Sequence, residues 1–195
     1  MTWLASILQD LIINKKQMKN ILKIIGGFLL VGVIYIGYML VNPVSPKDTV
    51  GFTSDNTTFE VVYSRPYKKD RLIFGSEENG ALVPFGNYWR TGANAATTFE
   101  ASSDILFNGE ELKAGKYALY TIPNENNWTV VLSSESDVFF AFSQPDTKFD
   151  VLKSMVDVSL MEKSLEQFTI EFSKDSTAVN MDLMWDKTMV SIPLN

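Results

Sequence analysis

The sequence predicts an all-β domain, an antiparallel β-sandwich or jelly roll, behind a single N-terminal transmembrane helix. Three observations predict it. Residues 24–41 run eighteen positions without a charge. From residue 58 onward apolar and polar side chains alternate at period two, and turn signals recur roughly every ten residues to the end of the chain.

At about 1.5 Å per residue the uncharged run spans about 27 Å, close to the thickness of a bilayer's hydrocarbon core. Lys15, Lys16, Lys19 and Lys23 all precede the run, and only Lys47 follows closely. That asymmetry predicts a cytoplasmic N-terminus and an extracytoplasmic C-terminal domain, a single-pass protein of the cell membrane. The run ends in Tyr38-Met39-Leu40-Val41, bulky where a signal peptidase requires small residues. An uncleaved signal anchor is therefore expected, with cleavage at an atypical site as the alternative. The expected division is a short cytoplasmic segment at 1–23, the anchor at 24–41, a linker at 42–57 containing Pro43, Pro46 and Gly51, and the exported β domain at 58–195.

Composition narrows the chemistry. Residues 1–41 carry a net charge of +3, whereas residues 42–195 hold thirteen basic and twenty-two acidic side chains, a net of −9. An acidic domain lacks the positive footprint that nucleic acid and anionic lipid both require, so it is a poor candidate for binding either, and no nucleic-acid partner is expected. The chain has no cysteine and no histidine. Stability must then come from packing, and Ser-His-Asp triads, Cys-His pairs and histidine-bearing zinc or haem sites are excluded. Neither a metal site nor a cofactor is expected.

Each strand has its own signal. Phe59, Val61 and Tyr63 alternate with Thr58 and Glu60, and Ile105-Leu106-Phe107 leads into Asn108-Gly109, a pair suited to the positive φ angles of a type I′ hairpin. Tyr117, Leu119 and Thr121 fall on one face and Ala118, Tyr120 and Ile122 on the other; a turn at 123–127 then leads to Trp128-Thr129-Val130-Val131-Leu132. Phe139-Phe140-Ala141-Phe142 reads as a short strand. Phe168, Ile170 and Phe172 alternate again, followed by Val179, Met181, Leu183 and Trp185, a turn at Asp186-Lys187-Thr188, and Val190, Ile192 and Leu194. Gly109 and Gly115-Lys116 suggest a phosphate loop, but five residues separate the glycines instead of four, and Tyr117 stands where Ser or Thr must reach magnesium.

One stretch is richer in hydrogen-bond donors than a simple connection needs. Ser64-Arg65-Pro66-Tyr67-Lys68-Lys69-Asp70-Arg71-Leu72-Ile73-Phe74-Gly75 is followed by Leu82-Val83-Pro84-Phe85-Gly86 and by Trp89-Arg90-Thr91-Gly92-Ala93-Asn94-Ala95-Ala96-Thr97. In order and spacing these blocks resemble the signature of a bacterial exported family known as domain of unknown function 2911. The resemblance continues through 112–123 and 128–130, covers roughly 58–195, and implies a fold and a site candidate without an activity.

The candidate site is a polar cluster of Arg65, Arg71, Trp89, Arg90, Thr91 and Asn94. Arg90 beside Trp89 suits cation–π stacking or bidentate capture of a carboxylate, and Asn94 offers both a donor and an acceptor. The cluster is expected either to bind an anionic or hydroxyl-rich ligand or to form an internal network in which Arg65 and Arg90 pair with Glu60, Glu77, Glu78 or Glu100. In both cases Arg90 is expected to be largely buried. The function expected is a binding or assembly module of the cell envelope, with a carbohydrate, an anionic small molecule or an envelope protein as partner. The alternative is a glycosidase-like hydrolase with two carboxylates drawn from Glu77, Glu78 and Glu100, which needs no histidine.

Overall fold

The structure, a computed structural model, describes residues 2–41, 44–136, 145–176 and 178–195. The strand expected at Phe139–Phe142 lies outside the described residues. The chain divides into two compact units, Met1–Val44 and Ser45–Asn195.

The first unit is one helix, α1 (Thr2–Val41). Within it 17–39 is long and apolar enough to cross a membrane, so the apolar stretch begins seven residues before the strictly uncharged run. Leu29, Leu30 and Ile34 are exposed on this helix, consistent with a lipid-facing surface.

The second unit is all-β and almost entirely antiparallel. Its strands are β1 (Lys47–Ser54), β2 (Thr57–Ser64), β3 (Phe74–Gly75), β4 (Val83–Pro84), β5 (Thr97–Ala101), β6 (Ile105–Phe107), β7 (Glu110–Leu112), β8 (Gly115–Pro123), β9 (Asn127–Ser133), β10 (Asp150–Lys174) and β11 (Val179–Leu194). Nine of them form one sheet in the order β1-β2-β5-β8-β9-β10-β11-β6-β7, an arrangement consistent with a sandwich, while β3 and β4 form a short parallel pair. β10 links the two ends of the sheet. Its first part pairs with β9 from Asp150 to Asp157, and its remainder pairs with β11 from Val158 to Lys174.

Inward-facing residues from each strand meet in one core. Around Trp89 stand Phe168 at 5.0 Å, Phe74 at 5.6 Å, Trp128 at 5.7 Å and Trp185 at 5.9 Å between ring centroids. All but Phe74 are buried. The indole N–H groups of Trp128 and Trp185 have no hydrogen-bond partner, so these rings contribute through apolar area and ring packing rather than through bonding.

Two sequence expectations need correction. Residues 47–54, assigned to the linker, form β1, which pairs with β2 along its whole length through a turn at Asp55-Asn56, both at positive φ. Only Val50 and Phe52 pack on the core, so this edge strand reads as polar in sequence. The expected turn at Asp186–Thr188 is a bulge inside one continuous strand. Asp186 has φ +53°, and from Leu160 to Thr169 β10 advances nine residues while β11 moves only from Thr188 to Met184.

Lys68 Nζ donates to the Asp186 carboxylate at 2.6 Å and holds this bulge to the segment after β2. Burial alone would raise the Asp186 carboxyl. Hydrogen bonds from Lys68 and Ser164 and the positive charges of Lys68 and Lys187 outweigh it and hold the group below its usual 3.8. A depressed carboxyl contributes stability that is fully present above the unfolded value and lost as pH falls through the folded one. Asp186→Asn should therefore cost about 1 kcal/mol near neutral pH, a discounted figure for a partly exposed pair. The gap between wild type and variant should close below pH 3.8 in denaturation curves taken across the acid range.

Candidate functional site

Ser64 ends β2, and the chain then lies along the side of β10 that β11 does not cover. The Phe168 amide donates to the Pro66 carbonyl at 2.9 Å, and the Lys68 amide donates to the Glu166 carbonyl at 2.6 Å. Where the backbones diverge, side chains take over. Tyr63 Oη accepts from the Ile170 amide at 2.9 Å. Arg65 donates from Nε to the Phe168 carbonyl at 3.1 Å, from Nη2 to Thr169 Oγ1 at 2.9 Å, and from Nη1 to Asp48 Oδ2 at 3.1 Å. An edge strand carries backbone groups that need partners, and Arg65 supplies them across the gap. Its acidic partner is Asp48 of β1, not one of the four glutamates expected. Arg71 is exposed and bonds the carbonyls of Lys68, at 2.9 Å, and Tyr67, closing its own turn.

The second block continues the line of β5. Trp89 and Thr121 exchange backbone hydrogen bonds at 2.8 and 2.9 Å, which extends pairing along β8 beyond the end of β5 and turns the Trp89 ring into the core. The chain between then makes a compact loop. Trp89 Nε1 donates to the Gly92 carbonyl at 3.1 Å, buried Thr91 donates to Thr121 Oγ1 at 3.0 Å, and Thr97 Oγ1 donates to the Thr91 carbonyl at 2.6 Å. Gly92 has φ +150°, and a Cβ there would stand 2.9 Å from the Ser64 carbonyl oxygen, so only glycine fits without backbone movement. Trp89 and Thr91 are thus interior.

Arg90 and Asn94 behave differently. Arg90 is half-buried rather than largely buried, and its Nη1 donates to the Asn94 carbonyl at 2.9 Å within the same loop. Tyr88, two residues before it, packs on Tyr120 with centroids 5.3 Å apart. Burial raises the Tyr88 hydroxyl, and the Arg90 charge partly offsets this. Asn94 is exposed, with φ +61°, and its Nδ2 donates to the Ser45 carbonyl at 3.2 Å. The six residues therefore do not form one cluster. Arg65 and Arg71 lock a connection, Trp89 and Thr91 fill the interior, and Arg90 and Asn94 shape an outward loop.

Beside that loop, on the outer face of the sheet, lies a groove of about 460 Å³ lined by Lys47, Val62, Tyr63, Ser64, Asn94, Ala95, Ala96, Thr98, Lys116 and Ser136. Register explains its floor. Val62 stands opposite Thr98, and Thr98 opposite Ala118, in a row of small residues. Lys47 and Lys116 are exposed and form no ion pair among the described residues, whereas Arg65, Lys68, Lys113, Lys148 and Lys174 all do. In the next row Glu60 faces Glu100, and Glu100 faces Lys116.

Of the candidate site residues only Asn94 lines the groove. Its lysines escaped the sequence reading because they lie 69 positions apart and carry no motif. The one available signal was the alternation of β2 and β5, which assigns Val62 and Thr98 to the outer face. Glu77 and Glu78 sit on an exposed 3-10 turn, Glu100 on the open sheet face, and none of the three lines this groove. Among the described residues no three acidic side chains are grouped so as to hold a metal ion.

The profile of a family described as "Protein of unknown function (DUF2911)" matches residues 45–194. The chain belongs to this family. The match includes β1 and so agrees with its place in the domain. No curated protein matches the chain, and no solved structure does. The blocks that carried the resemblance, 64–75 and 89–97, are largely those that close the edge of β10 and enclose Trp89.

Proposed function

We propose that this protein is a membrane-anchored binding module of the cell envelope, with its N-terminus cytoplasmic and its β domain outside, and that its outer-face groove takes an anionic, hydroxyl-bearing ligand. The lysines of α1 that precede its uncharged run support the orientation, and Tyr35 and Tyr38 near its end are suited to an outer interface. One observation carries the binding reading. In a domain with a net charge of −9, Lys47 and Lys116, neither of them in an ion pair among the described residues, both line a groove that also presents Ser64, Asn94, Thr98 and Ser136. Ammonium groups supply charge to a phosphate or carboxylate, and the hydroxyl and amide groups supply directional bonds to ligand hydroxyls.

The test is calorimetric titration of the full chain in neutral detergent with a hexose phosphate. Replacing both lysines, Lys47→Gln with Lys116→Gln, should weaken binding about tenfold, in line with two exposed charge contacts of modest strength each. The unfolding midpoint should move little, because neither side chain has an ion pair among the described residues. Equal affinity in wild type and double variant would remove the groove from consideration.

A further inference from the structure

We infer that β1 joins two copies of this chain into a two-fold symmetric dimer, pairing antiparallel with the same strand of the second copy about Gly51. The inference is separate from the binding reading above, since it concerns the edge of the sheet and not its outer face.

The first observation is the contrast between β1 and β7, the two strands that end the nine-stranded sheet. β7 is blunted in the usual way: it is three residues long and begins Glu110-Glu111, both exposed. β1 is eight residues long, pairs with β2 in unbroken register, and carries no charge, proline or bulge from Thr49 to Ser54. Among the described residues no backbone hydrogen bond reaches it from any element but β2. The bond from the Arg65 amide to the Pro46 carbonyl, 2.8 Å long, fixes which groups point outward. Counting on from Pro46 in an antiparallel ladder, the even-numbered residues bond to β2, and Lys47, Thr49, Gly51 and Thr53 turn their N–H and C=O groups away from it. All four are exposed, and at Gly51 the exposed surface is the main chain itself. The Thr49 amide is covered by its own Asp48 carboxylate at 2.8 Å, and the amides of Gly51 and Thr53 have no such cover.

The second observation is that this edge matches itself. Antiparallel pairing centred on Gly51 sets Thr49 opposite the partner's Thr53 and Val50 opposite the partner's Phe52, each twice by symmetry. Val50 and Phe52 are the half-buried residues of β1 that pack on the core, so joining them extends the apolar layer across the seam. No like charges meet. Asp48 falls opposite Ser54, and Lys47 lies beside the acidic end of the partner's turn, where the Asp55 side chain is 91% exposed. Glycine at the axis lets the two main chains meet with no side chain between them. The Gly51 groups bond reciprocally and the Thr53 amides reach the Thr49 carbonyls, so the Asp48 carboxylate can stay on the Thr49 amide. An unrelated strand would gain the same main-chain bonds but not this matching of side chains.

Cross-linking tests this, because the chain has no cysteine of its own. Thr49→Cys and Thr53→Cys, both at exposed positions, are made as separate full chains in neutral detergent, then mixed and oxidised with copper phenanthroline. In the inferred register the two positions face each other at about 5.5 Å between Cα atoms, within reach of a disulfide, whereas each lies at least about 13 Å from its own equivalent in the second copy. The mixture should therefore cross-link, and each variant alone should not. Cross-linking of either variant alone at the level of the mixture overturns the inference, as does its absence from all three samples. Hydrogen exchange on the wild-type chain, at high and low protein-to-detergent ratio, gives a second reading without substitution. The amides of Gly51 and Thr53 should exchange about tenfold more slowly at the high ratio, while those of Val50 and Phe52, already bonded to β2, should not change. Equal rates for Gly51 and Thr53 at the two ratios would also overturn the inference.

Discussion

Trp89→Ala should lower the unfolding free energy of the β domain by about 3–5 kcal/mol, the range for removing a buried aromatic ring from a packed interior. The expectation follows from position. The Trp89 ring lies within 6 Å, centroid to centroid, of Phe74, Trp128, Phe168 and Trp185, which come from β3, β9, β10 and β11. Its Nε1 proton also holds the Gly92 carbonyl, so truncation leaves a cavity and loosens the loop at once. Guanidinium denaturation of the full chain, followed by tryptophan emission, measures the effect. A loss below about 1 kcal/mol would mean that the ring is not part of the core.

Arg65→Lys should cost about 1–3 kcal/mol, and Arg90→Lys less. The guanidinium of Arg65 reaches three acceptors in three directions, the Phe168 carbonyl, Thr169 Oγ1 and Asp48, and a lysine ammonium cannot reproduce that fork. Two of the acceptors left behind, the Phe168 carbonyl and Thr169 Oγ1, belong to β10, so the loss should appear as faster amide exchange at 166–170 as well as a lower midpoint. Arg90 Nη1 donates to the carbonyl of Asn94 within its own loop and does not reach across to β10 as Arg65 does. Paired melts of the two variants check the order, and a larger loss for Arg90→Lys would reverse the roles assigned to the two arginines.

The contrast between these arginines also shows what the sequence could convey. Period-two alternation revealed β2, β8, β9 and most of β11 because each has one face on the core, and Asn108-Gly109 marked a hairpin whose φ angles, 48° and 84°, are those of its turn type. β1 was hidden because an edge strand that packs only Val50 and Phe52 looks like a polar linker. The first two thirds of β10 were hidden for a related reason. Val151, Met155 and Leu160 face solvent, and the register shifts beyond Leu160 break the alternation before Phe168 restores it. The density of donors at 64–71 and 89–97 was legible, but not its division between interior and surface. That division depends on Arg65 meeting β10 more than a hundred positions away, a pairing that only the closed sheet creates. The groove depends likewise on strand order, which brings Lys47 of β1 and Lys116 of β8 to one face.

The most direct measurement is an amide chemical-shift titration of the full chain in neutral detergent micelles with a hexose phosphate. Saturable shifts should appear at Val62, Ser64, Asn94, Ala95, Ala96 and Thr98 and fade in Lys47→Gln with Lys116→Gln, while Phe168, Thr169 and Ile170 beside Arg65 stay in place. Shifts centred on those three β10 residues, with none along the groove, would contradict the assignment of Arg65 to the scaffold and of the groove to the ligand.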